Sequence, residues 1–407
     1  MRISNATARR LTVQCEGLDD GWLLAAGVQG VAEAIERLGQ VQIDTIAVVQ
    51  RSHHHILWTR CPGYSPDMLD ALQTGERRIF EHWSRASAAC YLPLSDYRFY
   101  LPLMERAGDV PRTRHWLAEH SQLVDGVLSR IRDEGPLASA DFDAPPGWQR
   151  GQWWSSTPAK QALEWLLLTG RLMVSARRNF QRLYDLPERV LPADTDRRPP
   201  EPDELARFVV RRELGRLGLS TLTDMTRGWM RRWREDIARA IEEMTVAGEV
   251  APVTVDGEDG RGYYALVDCL ERAESPREGD ARRLHILSPF DGVLQRRLLA
   301  EVFGFDYTIE CYLPAAKRRF GYFSLPILWG EEFVGRLDPK AERATRRLLL
   351  RHLVFEPRAW DYETLLPALA AKLHAFAAFN GCDEVVVERS EPESLGEALR
   401  LEMSRTK

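Results

Sequence analysis

Cysteine is scarce and scattered: Cys15, Cys61, Cys90, Cys269, Cys311 and Cys382 are all there is in 407 residues. No Cys-x-x-Cys pair occurs, and no histidine stands at ligand spacing from any of them. That excludes zinc ribbons, iron–sulfur ligation and a disulfide framework, and leaves reduced, mostly buried thiols. Long apolar runs are missing as well. No stretch approaches a membrane span, and the opening MRISNATARR lacks the apolar core of a signal peptide. These absences point to a cytoplasmic protein with no membrane partner. There is no P-loop, no Rossmann glycine pattern and no Ser–His–Asp context, so the common nucleotide-dependent and serine-hydrolase chemistries have no foothold.

What is present is ordinary in bulk and uneven in distribution. A hydrophobic fraction of 44% with 28% charged residues suits a globular chain. The length allows two to four modules at roughly 100–200 residues per domain. The net charge is −5, yet Asp280 to Arg351 carries 13 Lys/Arg against 9 Asp/Glu, while His352 to Lys407 carries 6 against 10. Basic charge concentrated in this way is what a local phosphate-contacting surface requires. A charge run is also the ordinary make-up of a solvated face.

One pattern recurs three times: an amphipathic helix ending at glycine, then two strand-like segments. The copies are DMLDALQTGERRIFEHWSRASAACYLP, PAKQALEWLLLTGRLMVSARRNFQRLYDLP and REDIARAIEEMTVAGEVAPVTVDGEDGRGYYAL, turning at Gly75, Gly170 and Gly248. Glycine tolerates the left-handed conformation that terminates a helix. A helix followed by a two-stranded hairpin is the latter half of a winged helix-turn-helix. Helical periodicity precedes the second copy, at Leu123, Val127, Leu128 and Ile131, and the third, at Leu205, Phe208, Val209 and Leu214. The Pro-rich connector Pro192 to Glu204 and the charged segment Glu271 to Arg283 act as linkers. Beyond them, alternating segments such as ILSPFDGVL and RFGYFSLPILWG predict a small antiparallel sheet or barrel, with the helix YETLLPALAAKLHAFAAFNG packed on it and a frayed tail from Ser394. The expected fold is α+β: tandem winged-helix units at residues 1–115, 116–195 and 200–272, then a β-barrel-like domain at 280–395.

The stretch VQIDTIAVVQRSHHHILWTR, from Val41 to Arg60, carries the candidate chemistry. Val41 to Ile43 reads as a short strand, with a helix starting at Asp44 or Thr45. Gln42 and Asp44 are two apart, so an extended backbone projects both from one face. An amide beside a carboxylate can hold and aim a water molecule. An Asp before a helix is equally the ordinary N-cap.

This stretch, together with SPFDGVLQRRLLAEVFGFDY and IECYLPAAKRRFGYFSLPILWGEEFVGRLDPKAER, resembles the YcaQ-like branch of the AlkZ family, bacterial winged-helix DNA glycosylases acting on alkylated purines and interstrand crosslinks. The likeness runs from about Ala8 to Glu388, in several separated blocks matching in order. The family's catalytic motif is Gln–apolar–Asp in this branch and Gln–apolar–Gln in the other. Gln42-Ile43-Asp44 matches the first; the overlapping Gln40-Val41-Gln42 fits the second formally and carries little weight. The resemblance thus implies a catalytic pair, Gln42 and Asp44, and a double-stranded DNA partner. Breaking a purine N-glycosidic bond builds positive charge on the sugar, which a carboxylate can stabilise while it accepts the proton of an attacking water. An N7-alkylated purine is already cationic and leaves without a general acid. No lysine lies in the motif, so direct hydrolysis is expected instead of a Schiff base. Bulky lesions suit an open cleft better than a tight base pocket.

Candidate DNA contacts are Arg51, His53, His54 and His55 beside the motif, Arg177 and Arg178 at the tip of the second hairpin, Lys317, Arg318 and Arg319 in the PAAKRRFGYF block, and Arg336 with Lys340 nearby. Three consecutive histidines on a helix point about 100° apart and cannot converge on one metal. No metal or other cofactor is expected. Each arginine could equally be an ordinary surface charge, and the tryptophans, including Trp153, Trp154 and Trp229, suit packing better than base stacking. The expected molecule is a monomer. The competing function is a non-enzymatic winged-helix regulator, which would suit a symmetric dimer better than three unlike units in one chain.

Overall fold

The computed structural model describes residues 1–19, 21–85, 88–143, 157–256, 262–274 and 282–405. Trp153 and Trp154 lie outside them. All three helix–glycine–hairpin units are there. In the first, helix Pro66–Asp70 continues through a wider turn, Ala71–Gly75, into strands Ile79–Trp83 and Ala89–Pro93. In the second, helix Pro158–Leu168 leads to strands Met173–Arg178 and Gln181–Asp185. In the third, helix Arg234–Val246 leads to strands Val250–Val255 and Tyr263–Leu266. Gly170 and Gly248 take φ of 70° and 74°, the left-handed stop expected of them. In the first unit that conformation falls on Arg77 instead of Gly75.

The helices in front follow the apolar stripes. Ser121–Glu134 buries Val124, Val127 and Ile131; Pro202–Leu217 buries Leu205, Val209 and Leu214. Helix Gly27–Leu38 turns Val31, Ala34, Ile35 and Leu38 inward, one face at helical spacing, and stops at left-handed Gly39.

Two boundaries differ from the sequence reading. The first strand, Arg2–Ile3, pairs in parallel with Val250–Val255, not within the first unit. The helix after it, Asn5–Cys15, sets Ala8, Leu11 and Cys15 into one core with Val253, Tyr263, Cys269 and Leu270. Pairing this distant is decided by surface complementarity between units, which local periodicity does not encode. The tail is not frayed: helix Glu393–Arg405 buries Leu399 and Met403 in the C-terminal core.

That core belongs to a sheet ordered Glu384–Val387, Arg347–Phe355, Glu332–Glu342, Leu325–Trp329, Leu284–Ile286, with Ser390–Glu391 also on Arg347–Phe355. Bulges between Ile327 and Leu328 and between Asp338 and Pro339 bend it. It curls as a half-barrel, and among the described residues its two end strands do not pair with each other. Helix Tyr362–Phe379 sets Leu365, Leu369, Leu373 and Phe376 into the same core as the sheet. Truncating one such leucine to alanine costs about 2–5 kcal/mol. All six cysteines are free thiols, and all but Cys311 are buried. Trp229 packs against a core shared by the first and third units.

Candidate active site

The motif is held at the edge of the first hairpin. Strand Val41–Gln42 pairs antiparallel with Ala89–Pro93, Gln42 opposite Cys90, and the Ile43 amide donates to the Ala89 carbonyl at 2.8 Å. Val41 and Ile43 are buried, whereas Gln42 and Asp44 are part-exposed. This burial pattern alternates with the two-residue period of an extended chain.

The helix expected from Asp44 begins eight residues later, at Ser52, and runs to Arg60 with Arg51 as its N-cap. Residues 44–51 form an extended loop because they are tied to the C-terminal domain. Val49 is in the half-barrel core, with Ile46 and Val48 packed against it. The Ala341 amide donates to the Val48 carbonyl at 3.0 Å, and the Gln50 amide to Asn380 Oδ1 at 2.7 Å. A β-branched run has little helical preference to set against these contacts.

Asp44 therefore does not cap a helix. Its Oδ2 accepts the Ile46 amide at 3.0 Å, and it forms no ion pair among the described residues. Burial raises its carboxyl above the ordinary carboxylate range, opposed by the amides of Ile46 and Thr45 and by the Arg51 charge. The Gln42 amide makes no hydrogen bond among the described residues, and it lines a cavity of about 530 Å³ together with Gln40, Phe290 and Asp291. Gln42 and Asp44 both retain hydrogen-bonding capacity that protein groups leave unused.

Beneath this surface lies a buried ion network. Arg60, fully enclosed, donates to Asp291 with both terminal nitrogens at 2.8 Å, to the Glu16 carbonyl at 2.7 Å and to Glu16 Oε2 at 3.1 Å. Burial works against the Arg60 charge, but Asp291 and Glu16 outweigh it and hold it protonated. The network ties the histidine helix to the first helix and to the Ser288–Gly292 turn.

The structure distributes the predicted DNA contacts unevenly. His53 and His55 are interior. His53 stacks on Phe180 at 5.7 Å between ring centroids, and His55 Nε2 donates to the Ile286 carbonyl at 2.8 Å. His54 Nδ1 meets the Tyr64 hydroxyl at 2.7 Å. Burial pushes the imidazoles of His54 and His55 down to about 4, and that of His53 well below the usual value. All three are neutral near pH 7 and point to different neighbours, not to one ion. Arg177 is clamped on Glu81 by bonds of 2.9 and 2.7 Å, and Arg178 on Asp141 at 2.8 Å. Arg336 is 4% exposed, paired with Glu356 at 2.7 Å and set against the rings of Phe305 and Phe320. Such burial gives Arg336 a packing role within the half-barrel, in place of the surface cation read from sequence. Lys340 approaches Glu342 at 3.3 Å.

Lys317 and Arg319 are exposed, Arg318 is half-exposed, and none of the three forms an ion pair among the described residues. Arg51 stays beside Asp44, its guanidinium 3.9 Å from the Phe180 ring centroid. Burial, then the charges of Arg177 and Arg343, press its pKa down, so these cations gather near the motif.

Sequence reasoning missed Phe180. It forms the second hairpin's two-residue turn with Asn179, both at positive φ, and the tip folds back between Arg51 and Arg177. It missed Glu81, the buried anchor for that hairpin, and Arg343. It also missed Tyr312, although IECYLPAAKRRF stood among the singled-out blocks.

The family model described as DNA glycosylase AlkZ-like matches residues 35–379. The chain belongs to the AlkZ-like family, and it is a DNA glycosylase. The fold is similar to that of Streptomyces sahachiroi DNA glycosylase AlkZ, with a TM-score of 0.64 at 18% identity, over 96% of this chain and 100% of that one. The non-enzymatic regulator weighed from the sequence is thereby set aside. Among the described residues no helix is long and apolar enough to cross a membrane.

Proposed function

We propose that the chain hydrolyses the N-glycosidic bond of alkylated purines of the N7-alkylguanine type in double-stranded DNA. This would include the unhooking of interstrand crosslinks in base excision repair, carried out by a monomer in the cytoplasm and nucleoid. The three helix–glycine–hairpin units are read as winged helices that grip the duplex around the lesion. The observation that carries the reading is Asp44: a half-buried carboxylate with only backbone amides on it, two residues from the unbonded Gln42 amide.

In the reaction, the bond from C1′ to the purine nitrogen breaks with its electrons passing to the base. A cationic N7-alkylpurine departs neutral. Asp44 stabilises the positive sugar and accepts the proton of the water that attacks C1′. Gln42 holds that water or a sugar oxygen through its amide. The product is an abasic site. Lys317, Arg318, Arg319 and Arg51 are assigned to phosphate contacts, which position the duplex without reading its sequence.

The test is incubation of the protein with duplexes carrying N7-alkylguanine or a nitrogen-mustard crosslink, followed by alkaline cleavage at abasic sites. Wild type should release base. Asp44→Asn should bind DNA comparably and release about 100-fold less, the usual span for a lost proton acceptor. Binding without base release from wild type across these lesions would sink the assignment of substrate.

A further inference from the structure

The loop before strand Leu325–Trp329 carries a feature that the proposed chemistry does not use. Tyr312 is 75% exposed and Leu313 38%. Among the described residues they are the only large exposed apolar side chains adjacent in sequence. Single exposed hydrophobes need no explanation, but an adjacent pair on a rigid loop beside a candidate catalytic carboxylate does.

The loop is rigid because a buried carboxylate holds it. Glu310, 7% exposed, accepts three consecutive amides: Arg319 at 3.0 Å, Phe320 at 2.7 Å and Gly321 at 3.1 Å. The Leu313 amide donates to the Glu310 carbonyl at 2.9 Å, and Arg318 Nε to the Leu313 carbonyl at 2.9 Å. Deeper in, Asp338 accepts the amides of Tyr322 at 3.2 Å and Phe323 at 2.8 Å. Tyr312 thus sits at the tip of a tight turn with its ring outside.

The Asp44 charge is felt at the same turn. Burial, then the Asp44 charge, raise the Cys311 thiol, and after burial and Cys311 the Asp44 charge raises the Tyr312 phenol as well. Ile46, two residues past Asp44, packs on the same core as Ile309 and Tyr322. Lys317, Arg318 and Arg319 follow on the loop without ion pairs among the described residues, which gives the surroundings of the apolar tip the charge a phosphate backbone attracts.

We propose that Tyr312 and Leu313 are a wedge that enters the base stack of duplex DNA at the lesion and turns the damaged nucleotide's C1′ toward Asp44. The assignment rests on the glycosylase reading of Asp44 and adds how the bond is reached. Apolar side chains driven between base steps unstack and kink a duplex, and a flanking cationic rim offsets the strain through phosphate contacts. The wedge acts on stacking and position, so its residues are positioning residues.

The experiment uses the full chain and a duplex with 2-aminopurine next to an N7-alkylguanine, since 2-aminopurine brightens when it unstacks. Wild type and Asp44→Asn should both raise the fluorescence. The double variant Tyr312→Ala/Leu313→Ala should bind within a few-fold, leave the fluorescence low and release base about 10–100-fold more slowly, the range for losing one base-stacking contact. Tyr312→Trp should restore both signals, which a merely structural loss would not. Both changed side chains are exposed, so folding is not at stake. Unaltered brightening and base release in the double variant would overturn the wedge, as would a wild type that releases base without brightening. Brightening by wild type without base release would uphold the wedge and count against the reaction assigned to Asp44, so the two failures are distinct.

Discussion

Arg60 and Asp291, 231 residues apart in the chain, meet through two parallel 2.8 Å hydrogen bonds in a fully buried site. Glu16 completes the arrangement, and Gly292 makes room for it: a Cβ there would come within 2.2 Å of Glu16 Oε1 and 2.8 Å of an Arg216 terminal nitrogen. Removing one partner of a buried pair leaves an uncompensated charge. Arg60→Ala or Asp291→Ala should each lose about 3–5 kcal/mol, read as a shift in denaturant midpoint. The double change Arg60→Met/Asp291→Leu, which leaves Glu16 to Arg216 at 3.7 Å, should lose less than the sum of the singles. A double variant as unstable as the sum of the singles would show that the two residues contribute independently and would overturn the stranded-charge account.

The state of Asp44 should govern the acid side of the activity profile. Its carboxyl lies above the ordinary value of 3.8 because of burial, so kcat/KM should fall with decreasing pH at a higher pH than a free aspartate would dictate. For an acid with a raised folded pKa, ionisation weakens the fold, so stability attributable to Asp44 falls as pH rises through that pKa. Asp44→Asn should therefore lose activity without losing melting temperature. An acid limb that persists in the residual activity of Asp44→Asn would assign it to another group.

Buried neutral histidines should make the protein acid-labile. His55 is pushed down to about 4 and His285 to about 3, both by burial first. The unfolded chain takes up these protons near pH 6.5, the folded one only far lower. Their stabilising effect is complete above about pH 6.5 and is lost as pH falls toward 4, roughly 3 kcal/mol for His55 alone. Urea unfolding at pH 7 and pH 5 checks this: a midpoint that stays level would contradict the burial of both rings.

Salt dependence should separate the exposed cations from the clamped ones. Lys317→Ala and Arg319→Ala should each reduce the slope of log affinity against log salt by about 1, whatever the DNA sequence. Arg336→Ala should leave that slope unchanged and lower stability, because its guanidinium packs between Phe305 and Phe320 and pairs with Glu356. A salt slope sensitive to Arg336 would mean that it reaches phosphate after all.

The three helix–glycine–hairpin units were legible because their signals are local. Apolar spacing, a glycine at the helix end and alternating strands act over a few residues, and the structure follows each. The part-exposure of Gln42 and Asp44 around buried Ile43 follows the same local alternation. The segment after Asp44 was not legible as a loop. Its apolar residues Ile46 and Val49 fit a helical stripe, but they serve a different partner, the half-barrel core formed almost 300 residues later.

By itself the sequence determined the family, the repeated units, the half-barrel's helix and the identity of the motif, all of which rest on short-range pattern. Tertiary structure decided the rest. It paired Arg2–Ile3 with the third unit, drew His53 and His55 inside, clamped Arg177 on Glu81, buried Arg336 and left Tyr312 exposed on the loop that Glu310 holds. Each of these depends on which surfaces meet, and burial and ion pairing between distant residues are set only when they do. Whether an arginine is a phosphate ligand or a packing residue is a property of its neighbours in space, and a linear chain does not state them.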